Sequence, residues 1–235
     1  MSKTATDVIK GLRKGKVDRT AFLTTVYSEI REEVKNSDFS VKSNAIRKLF
    51  VLALEGYDME WASFHILEVM SSSKFSEKHS GLLAASQCFK PNSDILFLAT
   101  NFFRREIVAS NAIDTCIALN TLACLVNPDM SKELMNECVG LLNTSKPVLR
   151  KKTCVLFFRL FSQYPDGLVS YFERLAEKLK DDNPGVVMGT VSTIFELARI
   201  NPAFVLYTAQ SLYELLNTTS SNWVLIKLIK LVKKT

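Results

Sequence analysis

Along most of this chain apolar residues return at spacings of three and four, and no segment keeps the two-residue alternation of a half-buried strand. In "SVKSNAIRKLFVLALEG" the residues Val41, Ala45, Ile46, Leu49, Leu52 and Ala53 share one helical face, with Ser40 as the expected N-cap and Gly56 as the expected stop. The same signals predict helices in "DRTAFLTTVYSEIREEVK", opened by Asp18, in "YDMEWASFHILEVM", capped by Asp58, and in "NPDMSKELMNECVGLL", capped by Asp129. Pro128, Pro147, Pro165, Pro184 and Pro202 fall at or near the starts of apolar helical runs, where a missing N–H costs nothing. The pattern predicts an all-α protein of about a dozen helices.

These helices repeat. "VKSNAIRKLFVL" from Val41, "EKHSGLLAASQC" from Glu77, "IDTCIALNTLAC" from Ile113, "VLRKKTCVLFFR" from Val148, "VVMGTVSTIFEL" from Val186 and "NWVLIKLIKLV" from Asn222 start 36, 36, 35, 38 and 36 residues apart. Each interval holds one helical hairpin. That is the pattern of a HEAT or armadillo-like solenoid, a right-handed α–α superhelix, here of about six hairpins. With no long run rich in Ser, Gly or Pro to serve as a linker, residues 1–235 read as a single continuous solenoid. Trp223 begins the last of these helices, whose apolar stripe is expected to cover "PAFVLYTAQSLYELL" and to leave its lysines in solvent. The far side of that helix is expected to be covered by the rest of a longer trunk or by another subunit, because solenoid ends need capping.

Composition and charge narrow the class. A hydrophobic share of 47% fits a globular chain, and the formal charge of +6 is unevenly spread. Lys3, Lys10, Arg13, Lys14 and Lys16 accompany only Asp7; Lys146, Arg150, Lys151, Lys152 and Arg159 form a second basic cluster, and Lys227, Lys230, Lys233 and Lys234 a third. Such clusters suit phosphate on lipid headgroups or nucleic acid, or form a solvated helix face. Cys88, Cys116, Cys124, Cys138 and Cys154 lack CxxC spacing and sit in apolar helical patterns, so buried free thiols in a reducing compartment are expected. Without an apolar run of roughly 18 residues, the chain is expected to be cytoplasmic and any membrane contact peripheral.

Little points to catalysis. His65 lies among large apolar residues and reads as structural, His79 opens another helix, and no metal-ligand spacing or phosphate-binding glycine loop is present. Asp181 and Asp182 in "KDDNPGVV" could act as general acid and base, but they stand between two helices, where negative charge favours the following N-terminus. A HEAT-like DNA glycosylase is the enzyme alternative. It would need aromatic residues gathered at one point, whereas Trp61 and Trp223 are 162 residues apart. The reading is a scaffold without cofactor, metal or nucleic-acid partner.

One stretch goes beyond a generic solenoid. "GYDMEWASFHILEVMSSSKFSEKHSGLLAASQCF", Gly56 to Phe89, resembles the large adaptin subunits of heterotetrameric adaptor complexes, in which a Gly-Tyr/His-Asp turn leads to an "SSxKFxxK" loop and then "GYLAxS". "SKPVLRKKT", Ser145 to Thr153, resembles the adaptin "KPxxRKKA" helix start, and "DDNPGVV" with "ELARINP" resembles the next repeat. The delta branch of that family is the most similar, through "GYDMEWASFHILEVMSSSKF", "LAASQCF" and "NWVLIKLIKL", over almost the whole chain. A tyrosine of "GYLA" is replaced in Ser80-Gly81-Leu82-Leu83-Ala84, and "RKKA" ends in Thr153, both changes on the scale of packing.

The resemblance implies the first part of a trunk that curls around a small sigma-type subunit, alongside a beta-type large subunit and a medium mu subunit. It implies recruitment by an Arf-family GTPase to Golgi and endosomal membranes, and sorting of cargo toward lysosomes, vacuoles and related organelles. By position in "VIKGLRKGK", Arg13 matches an arginine that faces the acidic residue of dileucine cargo signals. Lys42 and Lys48 match lysines of a phosphoinositide site in the plasma-membrane relative, although Ser43 and Asn44 replace two others. Surplus apolar residues in "TAFLTTVYSEI" and "LFLATNFFRREI" are candidates for the groove that holds the small subunit, or for core between repeats.

Overall fold

The computed structural model describes residues 3–13, 19–201 and 203–232. Among them there are thirteen α-helices and no strand: α1 (Ala5–Arg13), α2 (Arg19–Glu33), α3 (Phe39–Leu54), α4 (Ser63–Met70), α5 (Phe75–Cys88), α6 (Ile95–Ile107), α7 (Ala112–Leu125), α8 (Pro128–Leu141), α9 (Pro147–Gln163), α10 (Pro165–Ala176), α11 (Pro184–Ile200), α12 (Ala203–Thr218) and α13 (Asn222–Val232). The repeated segments are α3, α5, α7, α9, α11 and α13, each followed, where chain remains, by the second helix of its hairpin.

Local chemistry sets the helix ends, with shifts from expectation. Asp38, not Ser40, caps α3, accepting the Ser40 N–H at 2.8 Å; Asn127, not Asp129, caps α8, accepting the Met130 N–H at 2.9 Å. In the second case Pro128 occupies the first helical position, which makes the residue before it the cap and leaves Asp129 in the first turn. Pro147, Pro165 and Pro184 open their helices as expected, while Asp18 and Pro202 lie outside the described residues. Asp58 accepts the Glu60 N–H at 2.9 Å and opens a 3-10 turn, Glu60–Ala62, before α4. At the end of α3, Gly56 adopts φ +92°, the Gly56 N–H reaches the Ala53 carbonyl and the Tyr57 N–H reaches Leu52, a Schellman closure.

The chain divides into two compact units, Met1–Phe102 and Phe103–Thr235. In the first, α5 packs on α3 and α4 around Ala45, Ile46, Leu49, Leu52, Val69, Met70 and Leu82, all buried. Gly81 sits at the closest approach, since a Cβ there would stand 2.5 Å from the Met70 backbone nitrogen. In the second unit, α9 packs between α7 and α11, and α11 carries α13 on its other side. Buried threonines of α11 tie it to α9: Thr193 Oγ1 donates to the Cys154 carbonyl at 2.7 Å, and Thr190 Oγ1 to Cys154 Sγ at 3.3 Å.

The last helix answers its expectation in part. Val224, Leu228 and Leu231 are buried against α11 and α12, yet Lys227 is half-buried at the seam with α11, its Nζ donating to Ser192 Oγ at 2.5 Å. Trp223, 71% exposed, and the half-exposed Ile226 and Ile229 lie outside that contact. The thiols also differ from the uniform burial expected, for Cys88, Cys138 and Cys154 are buried while Cys116 is half-buried and Cys124 is exposed. Cys124 lies on the outward face of α7 with Ile113 and Asn120, so the apolar pattern there did not mean core.

Two predictions follow from this packing. Gly81→Ala should destabilise the chain by about 1–3 kcal/mol, because a Cβ meets backbone that cannot turn aside; urea denaturation measures it, and an unchanged midpoint would refute the close-approach account. Burial pushes the Cys88 and Cys138 thiols up to about 12 and Cys154 to about 11, whereas an unfolded thiol ionises near about 8.5. Their contribution is therefore complete below the unfolded value and is lost as pH rises through the folded values. The stability gap between wild type and Cys138→Ala should narrow as pH rises above about 8.5, and native-state alkylation should label Cys124 before any buried thiol.

Candidate functional site

The amino-terminal helix is set by its own first turn. The Thr4 N–H and hydroxyl donate to Asp7 Oδ2 at 2.9 and 2.8 Å, the Asp7 N–H returns to Thr4 Oγ1, and these bonds hold the Asp7 carboxyl below the usual carboxylate range. Val8 is buried, while Lys10 and Arg13 lie in the last turn, where positive charge complements the helix end. Arg13 is exposed, and no carboxylate among the described residues pairs with it. Lys14 and Lys16, the basic residues that follow in the sequence, lie outside the described residues.

Lys42 and Lys48 are placed differently. Lys48 is fully buried, its Nζ 2.5 Å from Glu33 Oε2, which ties α3 to α2. Lys42 is buried against Glu68 of α4, with its ammonium 5.5 Å from the Phe39 ring. A headgroup would reach either nitrogen only if these ion pairs opened. The two lysines expected by resemblance at a phosphoinositide site thus act as bridges between helices here.

Asp181, a candidate acid or base, is held by Arg150: Nε and Nη2 donate to its two carboxylate oxygens, each at 2.8 Å, and the Asn183 N–H adds a bond at 2.9 Å. Arg150 Nη1 also donates to the Thr144 carbonyl. The Arg150 hydrogen bonds hold the Asp181 carboxyl low and raise the Arg150 guanidinium. This clamp joins the start of α9 to the loop before α11 and commits both carboxylate oxygens of Asp181 to structural hydrogen bonds. His65 is half-exposed, 3.9 Å from Glu68, and His79 stacks on Phe75 with ring centroids 5.8 Å apart. Among the described residues no group of three or more His, Cys, Asp or Glu could hold a metal.

The surplus apolar residues divide between core and surface. On α2, Val26 and Ile30 are buried, whereas Leu23 and Tyr27 line a shallow groove of about 430 Å³ with Thr20, Thr24, Ser28 and Arg31. On α6, Phe102 and Phe103 are buried but Phe97 is 71% exposed. No helix among the described residues is long and apolar enough to cross a membrane. Sequence reasoning missed the Arg150–Asp181 clamp, because its partners are 31 residues apart and no local pattern marks the pair.

Stacked hairpins joined by polar bridges define an α-solenoid. A designed armadillo repeat protein shares this fold, with a TM-score of 0.62 over 88% of this chain and 98% of that one at 13% identity. The family model for the adaptin N-terminal region matches residues 21–235, and this chain belongs to the adaptin family. It is 42% identical over 229 residues to the AP-3 complex subunit delta-1 of Bos taurus, covering 97% of this chain and 19% of that protein. It is 43% identical over 234 residues to the AP-3 complex subunit delta of Eremothecium gossypii, covering 97% and 26%. This chain thus spans 19% to 26% of the length of these curated relatives. A homology model of the full-length AP-3 complex in an intermediate open conformation is similar at a TM-score of 0.76 and 40% identity, over 84% of this chain and 35% of that one. Membership of this family places the chain among structural coat subunits and not among enzymes.

The buried ion pair carries its own prediction. Lys48→Ala should cost about 3–5 kcal/mol by leaving the Glu33 carboxylate without its ammonium, whereas Lys48→Met combined with Glu33→Leu should recover most of that loss. Chemical denaturation of the single and double variants decides it, and equal loss in both would refute a pairing role.

Proposed function

We propose that this chain is the amino-terminal part of the trunk of a delta-type large subunit in an AP-3 adaptor complex, acting as a non-catalytic scaffold in vesicle-coat sorting. The observation that carries the reading is the identity of 42% to a delta subunit over 97% of this chain, on a repeat-built helical stack. In this role the trunk holds a small sigma-type subunit, and assembles with a beta-type large subunit and a medium mu subunit. The assembly is peripheral on Golgi and endosomal membranes, is recruited by an Arf-family GTPase, and directs cargo toward lysosomes, vacuoles and related organelles. The exposed apolar positions of α2 and α6 are the surfaces assigned to the small subunit.

Arg13 is assigned to the acidic residue of a dileucine cargo signal. Two features support this: its guanidinium is exposed at a helix end, and it has no carboxylate partner among the described residues. A guanidinium can pair with a carboxylate through two parallel hydrogen bonds, which suits recognition of one acidic side chain. Co-expression with a sigma-type small subunit, followed by size-exclusion chromatography, should give a one-to-one complex. That complex should bind an acidic dileucine peptide, and Arg13→Glu should weaken binding about tenfold or more. A soluble chain indifferent to the small subunit would overturn the scaffold assignment, and unchanged peptide affinity in the variant would overturn that of Arg13.

A further inference from the structure

Charge in the second unit is segregated by helix layer. The repeated helices α7, α9, α11 and α13 carry seven Lys or Arg and two acidic residues, whereas the intervening α8, α10 and α12 carry two basic and six acidic residues. Of the seven cations, Arg150 is committed to Asp181 and Arg199 to Glu196. The other five, Lys151, Lys152, Arg159, Lys227 and Lys230, have no carboxylate within ion-pair distance among the described residues.

Three of these cations are held in the seams between neighbouring helices by neutral acceptors. Lys152 Nζ donates to Asn120 Oδ1 at 2.7 Å, Arg159 Nε to the Ala123 carbonyl at 3.1 Å, and Lys227 Nζ to Ser192 Oγ at 2.5 Å. A cation bonded to a neutral group keeps its full charge and its remaining donors for a carboxylate. Apolar surface lies among them: Val155 is 50% exposed between Lys152 and Arg159, Trp223 stands one turn before Lys227, and a depression of about 220 Å³ opens beside Asn120, Lys152 and Val155.

We propose that the outward face of α7, α9, α11 and α13 is a docking surface for an extended acidic polypeptide segment that also carries apolar side chains. Charge complementarity selects the occupant. The Lys152, Arg159 and Lys227 head groups are each bonded to an acceptor on the neighbouring helix and so lie in seams, where a single extended chain can enter. Lys152 and Arg159 share the α7–α9 seam and Lys227 lies at the α11–α13 seam; adjacent packed helices are about 8–10 Å apart and an extended chain advances about 3.3 Å per residue, so carboxylates roughly six residues apart meet both seams. The face is independent of Arg13, which lies in the first unit, so failure here leaves that assignment untouched.

The test uses the full 235-residue chain and a fluorescein-labelled peptide of roughly twelve residues with repeating Glu-Leu-Ser, followed by fluorescence anisotropy at several salt concentrations. The combined variant Lys152→Glu, Arg159→Glu, Lys227→Glu should bind about tenfold more weakly. An equal-charge control on other surfaces, Lys132→Glu, Arg174→Glu, Lys180→Glu, should keep most of the affinity, with thermal melts confirming that both fold. If the first variant does not fold, Arg159→Ala, which removes only a bond to a carbonyl, should still weaken binding about threefold. The proposal is overturned by absence of peptide binding, by equal loss in the two triple variants, or by binding to phosphatidylserine vesicles or duplex RNA through these residues without binding to the peptide.

Discussion

Each hairpin in this chain has an apolar stripe that it cannot bury by itself, and the rest of the structure follows from stacking that stripe on a neighbour. Within the second unit α9 buries Leu156, Phe157, Leu160 and Phe161 in this way, and α11 buries Val186, Val191, Ile194 and Leu197. Polar ties then recur at about the repeat length: Thr190 to Cys154 and Arg159 to Ala123 across 36 residues, and Lys227 to Ser192 across 35. The Ala123 carbonyl belongs to the last turn of α7, where intrahelical donors run out, so a side chain from the next repeat completes the helix end. Stability here is a sum of neighbour terms, as expected for a quasi-one-dimensional stack.

An enzyme needs several groups converging on one reacting atom, whereas a stack offers rows of side chains repeated at helix spacing. Where carboxylates and cations do converge, at Arg150–Asp181 and at Lys48–Glu33, they consume one another in bridges between helices. What remains outward is suited to holding other chains, which agrees with membership of a family of coat subunits.

The repeat was readable because helix-forming periodicity and proline placement are local. Expected starts at Val41, Glu77, Ile113, Val148, Val186 and Asn222 fall in or at the start of α3, α5, α7, α9, α11 and α13, and Pro128, Pro147, Pro165 and Pro184 each open a helix. Cap identity was less secure. Asp38 and Ser40, or Asn127 and Asp129, are chemically competent alternatives two residues apart, and the choice rests on which residue leaves helical backbone angles.

Side-chain fate was the part hidden from the sequence. In "RKKT" three adjacent cations share one composition, yet Arg150 turns to a carboxylate in the following repeat, Lys152 to an amide in the preceding one, and Lys151 stays exposed. Lys42 and Lys48, matched by resemblance to a phosphoinositide site, are buried, and Glu68 and Glu33 arrive from other helices to pair with them. By itself the sequence determined the helices, their period and the kinship, since each depends on spacing along one chain. Only the tertiary structure decided which charges are spent and which are available, because that depends on partners brought from other helices, and burial sets the strength of each pair.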